Sequence, residues 1–171
     1  MRPDLFYPTP LGEGRLLLLI DAFSDSTKSL EGRTKLAKLD FFLRYPAYLG
    51  RALAVQGVPE IPLSDQEKEN VEARMVRYKF GPWDPAYYSL LGTLIGKGLV
   101  EPVPLRLGIG YRTTATGRDF AERLSHSPGW TDLNDRCRLL RRYMDRTGSW
   151  LKNFVYEHFP EVAAKEQGAL L

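Results

Sequence analysis

Residues 78–120, YKFGPWDPAYYSLLGTLIGKGLVEPVPLRLGIGYRTTATGRDF, limit what this chain can fold into more than any other stretch. Gly81-Pro82-Trp83-Asp84-Pro85 reads as a rigid turn, with Asp84 suited to an N-cap and Pro85 to the first helical position, where its missing amide costs nothing. The helix that follows is predicted to run to Lys97, with Tyr87, Leu90, Leu91, Leu94 and Ile95 on one face. Gly98 closes it at the place a left-handed C-cap requires. Leu99–Pro104 and Gly110–Thr114 read as short strands joined through Leu105–Ile109. Thr116 and Asp119 then cap a helix carrying Phe120 and Leu124. Loop, helix, two-stranded wing and helix start, in that order, make the back half of a winged helix, a module that reads DNA or docks another protein.

The side chains distinguish these uses. A base-reading helix carries Arg, Lys, Asn or Gln on its outward side. This one offers Ala86, Tyr88, Ser89, Gly92, Thr93 and Gly96, with Lys97 only in its last turn. The wing adds Arg106 and Arg112, few cations for an affinity that tracks the number of phosphates neutralised. Trp83, Tyr87 and Tyr88, in contrast, are residue types that dominate protein interfaces. The competing role for Trp83 and Tyr87 is in the core, packing the loop onto the helix.

Upstream, residues 1–10 carry Pro3, Pro8 and Pro10 and read as an extended arm, after which Gly12 and Gly14 lead into a helix over Arg15–Phe23. That helix is apolar nearly all round and is therefore expected to be buried. In GRTKLAKLDFFLRYP, Leu36, Leu39, Phe42 and Leu43 recur at helical spacing, with Arg33, Lys35, Lys38 and Arg44 as the wet sides and Pro46 as the terminator. A short helix over Ala47–Val55 precedes Gly57 and Pro59. Ser64-Asp65-Gln66-Glu67 matches a capping box for a surface helix reaching about Val76. After Pro128-Gly129 two further helices are predicted. Asp132–Arg146 has an apolar stripe of Leu133, Cys137, Leu140 and Met144, and its other faces carry Arg136, Arg138, Arg141, Arg142 and Arg146. Ser149–Phe159 is aromatic, with Trp150 and Phe154 one turn apart and facing inward, and Phe159 near a frayed end where a partner can reach it. The arginine cluster is either a solvated face balanced by Asp132, Asp135 and Asp145, or a contact for DNA backbone or an acidic partner.

Composition excludes several classes. The 171 residues, 43% hydrophobic and 26% charged, are those of an ordinary globular domain able to bury roughly 70% of its unfolded surface. A net charge of +3 permits nucleic-acid contact without arguing for it. One cysteine, Cys137, allows no internal disulfide. The Leu16–Ile20 run is too short to span a membrane, and no signal-peptide plan precedes it, so a cytoplasmic location is expected. Gly108-Ile109-Gly110 lacks the helix of a phosphate loop. His126 and His158 sit in separate elements without neighbouring ligands. No catalytic residue, cofactor or metal is expected.

Taken together, the blocks TKLAKLDFFLRYP (34–46), RMVRYKFGPWDPAYYSLLGTLIGKGLV (74–100), GYRTTATGRDF (110–120) and SWLKNFVYEHFPEV (149–162) resemble the middle components of ABC-three-component systems, a group that includes the small accessory subunit of Lamassu-type anti-phage defence. The Panacea antitoxin group shares the Lys-Leu-x-Lys-Leu helix. The resemblance implies a non-catalytic subunit that holds an SMC-like or other ABC-type ATPase together with an effector, often a nuclease. It supplies no catalytic motif to carry over.

The expected fold is therefore mainly α with a small β-hairpin, a winged-helix-like core plus a C-terminal helical pair. Residues 1–127 would form the winged-helix-like domain with its N-terminal helices, and 128–171 a helical extension packed on it. Expected partner contacts are Trp83, Tyr87, Tyr88, Trp150, Phe154 and Phe159. Arg106, Arg136, Arg138, Arg141, Arg142 and Arg146 are candidates for nucleic acid or an acidic partner, with DNA touched at most non-specifically and through the complex. The alternative function is a winged-helix transcription regulator or antitoxin.

Overall fold

The computed structural model describes residues 8–59, 81–165 and 169–171, and the backbone of 76–78. The capping box at Ser64–Glu67 and most of the proline-rich arm lie outside the described residues. The fold is mainly helical with short antiparallel hairpins. In chain order the elements are α1 (Pro10–Ala22), α2 (Gly32–Arg44), α3 (Pro46–Val55), β1 (Val76–Tyr78), β2 (Gly81–Trp83), α4 (Tyr87–Gly96), β3 (Val100–Pro104), β4 (Ile109–Thr113), α5 (Ala115–Ser125), α6 (Thr131–Tyr143), α7 (Gly148–His158) and α8 (Pro160–Ala163).

Helix α1 starts five residues before the predicted Arg15. Thr9 caps it, its hydroxyl accepting from the Gly12 amide at 3.0 Å, and Pro10 occupies the first turn. The two glycines therefore lie inside the helix. Gly14 is there for space: a Cβ would stand 2.4 Å from the Trp130 ring. Leu16 through Ile20 are all buried, as their unbroken apolarity predicts. Helix α2 ends at Arg44, and Pro46 restarts the chain as α3.

β3 pairs with β4 in the register Val100↔Thr113 to Pro104↔Ile109, as the sequence suggests. The smaller β1–β2 hairpin, Val76↔Trp83, was not legible, because three-residue strands containing Gly81 and Pro82 show no alternation. Thr114, and not Thr116 or Asp119, caps α5. Its hydroxyl accepts from the Gly117 amide at 3.0 Å and donates to the Gly98 carbonyl at 2.6 Å. Gly117 lets α5 approach this closely, since a Cβ there would lie 1.8 Å from the Leu99 carbonyl oxygen.

The four cations given to the wet sides of α2 are not all wet. Lys35, Lys38 and Arg44 are buried along with Asp40, and Arg33 alone is exposed. The reason is that α2 is surrounded: α1, α3, α6, α7, β2 and β4 all pack against it. Asp40, fully buried, is the hub. It accepts from Arg15 Nε at 2.6 Å and from the Tyr87 hydroxyl at 2.7 Å, with Arg44 Nη1 at 3.8 Å. Arg44 in turn donates to Asp84 at 2.5 Å, and the second Asp84 oxygen accepts from the Ala86 amide at 2.8 Å. Asp84 thus holds the turn that feeds α4, two residues before the N-cap position at Ala86, and its other oxygen is held by α2. Tyr87 is held well above its usual pKa, by burial first and by the Asp40 carboxylate second.

Lys38 has a less complete set of partners. Its amine reaches the Pro82 carbonyl at 3.4 Å, and burial, with Lys152 nearby, pulls its pKa down to about 7.

Two predictions follow from these buried charges. Asp40→Asn keeps the volume but removes the buried charge that the Arg15 guanidinium bonds and that Arg44 faces, and should cost about 3–5 kcal/mol in urea unfolding. For Lys38, below pH 7 folded and unfolded chains both carry the proton and the full cost of burying the charge is present. Between pH 7 and the usual lysine value of 10.5, only the unfolded chain binds it, so the Lys38 contribution makes stability rise with pH. Lys38→Met should therefore stabilise most at pH 6, with its advantage over wild type shrinking toward pH 10 in urea midpoints.

Candidate functional site

The face singled out by sequence is built on α4, the start of α2 and the β3–β4 hairpin. Tyr88, 60% exposed, projects from the first turn of α4, and the Arg33 guanidinium lies 4.6 Å from its ring centroid. Half-buried Trp83 stands edge-on to Tyr87 at 5.1 Å and 6.1 Å from Tyr88. Tyr87 itself is fully buried, its hydroxyl spent on Asp40, and is removed from the candidate contacts.

Beyond Tyr88 the outward side of α4 shows Ser89, Gly92, Ile95 and Gly96. Ala86 is buried beneath the turn, and Ile95 turns outward from the apolar face assigned to it. Nothing lies within 4 Å of where a Cβ at Gly92 or Gly96 would be, so neither glycine is explained by packing within the described residues. Lys97, the one cation of this helix, is paired with Glu13 at 2.5 Å. Tyr111 reaches the chain before α2 through reciprocal bonds with Leu30, 2.8 and 2.9 Å. The hairpin ends in exposed Arg106, Leu107 (90% exposed) and Ile109 (52% exposed). This surface carries aromatic and aliphatic groups with little charge.

The C-terminal candidates divide differently. Phe159 is buried, contrary to expectation: it packs at 5.9 Å against Phe42, 5.2 Å against Tyr48 and 6.1 Å against Phe154, with Arg51 over its ring at 4.8 Å. The chain end is not frayed there, because Pro160 begins α8 and Arg51 pairs with Glu161 across it. Phe154 is buried, as its inward-facing place predicts, and so leaves the expected partner contacts, as do Tyr87 and Phe159, whereas Trp150 stays 37% exposed, stacked on Phe154 at 4.9 Å. Phe154 and His158, 4.5 Å apart, continue the stack along one wall of a groove of about 450 Å³ opposite Val55 and Gln56. A second groove of about 350 Å³, lined by Leu17, Leu94, Phe120 and Trp130, lies beside the Glu13–Lys97 pair. Neither is lined by serine or cysteine. Cys137 is fully buried, and burial raises its thiol pKa far above the usual range.

The arginines of α6 divide between interior and surface. Arg136 is buried, because it falls beside the Cys137–Leu140 stripe, and desolvation lowers its pKa. Arg141 is paired with Asp145 and lies 5.7 Å over Phe23. Arg146 lies over Trp150 at 5.4 Å and Arg142 over Tyr143 at 5.2 Å. Arg138, Arg142 and Arg146 remain exposed, and Arg106 is at the far hairpin tip. Among the described residues no cluster of three or more His, Cys, Asp or Glu side chains could hold a metal, and no helix is long and apolar enough to cross a membrane.

The structure adds Arg33 and Ile109 to the face, which sequence reasoning had not included. The signal was available for Arg33, which lies in the first turn of the helix that also buries Asp40, but its meeting with Tyr88 joins residues 55 apart. No protein-family model, curated protein or solved structure matches the chain.

Truncation separates core from surface aromatics. Phe159→Ala should cost about 3–5 kcal/mol in thermal or urea unfolding, whereas Tyr88→Ala should stay within about 1 kcal/mol of wild type.

Proposed function

We propose that this protein is a non-catalytic accessory subunit, with a winged-helix-like core, that docks other proteins. The observation that carries this reading is the outward face of α4. Tyr88, Ser89, Gly92, Ile95 and Gly96 include none of the Arg, Lys, Asn or Gln side chains that make bidentate base contacts, and Lys97 is engaged by Glu13. A weakly charged face with one large exposed aromatic suits desolvation by a protein partner. Burial of Arg136 and the pairing of Arg141 with Asp145 take two cations from the arginine-rich helix, which weakens the case for phosphate binding there.

The resemblance of the four sequence blocks to middle components of ABC-three-component systems supplies the partners for this reading. They are an SMC-like or other ABC-type ATPase and an effector, in a bacterial anti-phage complex of the cytoplasm, with DNA engaged chiefly by the ATPase. A winged-helix regulator or antitoxin is the reading against which it is tested.

The test is co-expression with an ABC-type or SMC-like ATPase encoded beside it. The subunit should co-purify with the ATPase and show no preference for any promoter fragment over excess competitor DNA. Tyr88→Ala with Gly92→Arg should weaken the association by about tenfold or more while leaving the fold intact by circular dichroism. A specific DNA shift that these substitutions abolish, without an ATPase complex, would establish the regulator instead.

A further inference from the structure

The β3–β4 hairpin is a two-stranded sheet with exposed apolar residues at its tip, an arrangement that invites pairing with another strand. Its two edges are treated differently. On the β4 side, the Tyr111 amide and carbonyl are both bonded to Leu30, so that edge is occupied at its centre.

The same two bonds fix the hydrogen-bond phase of the hairpin. Because Tyr111 directs its backbone groups toward Leu30, the Pro102↔Tyr111 pair is a non-hydrogen-bonded pair. Alternation then makes Glu101↔Arg112 and Val103↔Gly110 the bonded pairs, and the Leu105 amide bond to the Gly108 carbonyl, 3.1 Å, continues the phase at the turn. On β3 the positions whose backbone nitrogens point away from β4 are therefore 100, 102 and 104. Two of these three are proline, and both prolines are exposed to solvent. Along that edge, unpaired among the described residues, the outward positions 102 and 104 present carbonyls and no donor. Either proline one residue along would instead have removed a donor that bonds β4.

We propose that Pro102 and Pro104 close the free edge of β3 to strand addition, and that the strand they keep off is the same hairpin of a second copy of this chain. Two copies meeting edge to edge would bring like sequences together, VEPVP against VEPVP, each lacking donors where the other needs them. The consequence is that Leu107 and Ile109 can stay exposed at the tip without the hairpin polymerising through its backbone. Recognition at the hairpin is then confined to side chains.

The experiment is the double variant Pro102→Thr/Pro104→Thr, which restores both outward donors with a strand-favouring residue. Its association is followed by sedimentation velocity over a dilution series beside the wild type. Glu101→Thr, whose amide faces β4, is the control. The expected result is at least one additional concentration-dependent association step for the double variant, none for the control, and amide exchange at positions 102 and 104 that slows as concentration rises. A folded double variant that sediments as the wild type does at every concentration, with fast exchange at both new amides, overturns the proposal. If the double variant fails to fold, the single replacements Pro102→Thr and Pro104→Thr are read in the same way. Misfolding of all three also overturns it, since outward-facing positions should accept an ordinary residue without losing a bond.

Discussion

Three helices of this fold and the turn at Asp84 are registered against one buried carboxylate. Asp40 sits in the middle of α2, fully buried, and meets Arg15 from α1 and Tyr87 from α4, while Arg44 one turn along reaches Asp84 in the turn before α4. An apolar core fixes how much surface is buried but tolerates many arrangements of similar volume. A carboxylate in low dielectric accepts only an arrangement that brings cations and donors to it, since an unmatched charge there costs several kcal/mol. Three helices and the loop at Asp84 are thereby locked in one mutual orientation. The two cations and two carboxylates of the network balance, so the site is neutral as a set.

That lock governs the outer face. Because the Tyr87 hydroxyl must reach Asp40, α4 has one rotation about its axis, and the adjacent Tyr88 is turned to solvent. Asp84 holds the first turn of the same helix through the Ala86 amide, which places Trp83 against Tyr87. The inner network and the outward aromatic thus belong to one device: pairing on the buried side sets what is displayed on the other. The exposed glycines at 92 and 96 fit this division, since the free helix carries their cost without any packing gain from the described residues.

The C-terminal helices add a second layer to α2. Along α7, Phe154 and Phe159 join Phe42 and Tyr48 in an aromatic cluster, with Arg51 capping the Phe159 ring. On the other side Lys35 reaches Asp145 at 2.7 Å. Charged side chains here tie neighbouring elements together.

The sequence by itself determined the elements whose signals are local. The break at Tyr45-Pro46, the Gly98 helix end (φ 70°), the presence of two short strands after it and the buried Leu16–Ile20 helix follow from backbone chemistry and hydrophobic period. It also set the chemical character of α4's outward side, because Ser89, Gly92 and Gly96 bring no Arg, Lys, Asn or Gln there. Tertiary structure alone decided which charges are interior. Lys35, Lys38, Asp40 and Arg44 look like the polar side of an amphipathic helix until other elements are seen to surround α2. It likewise decided that Tyr87 and Phe159 are core while Tyr88 and Trp150 are surface. Residue type is the same on both sides of that division, and only the packing of distant helices separates them.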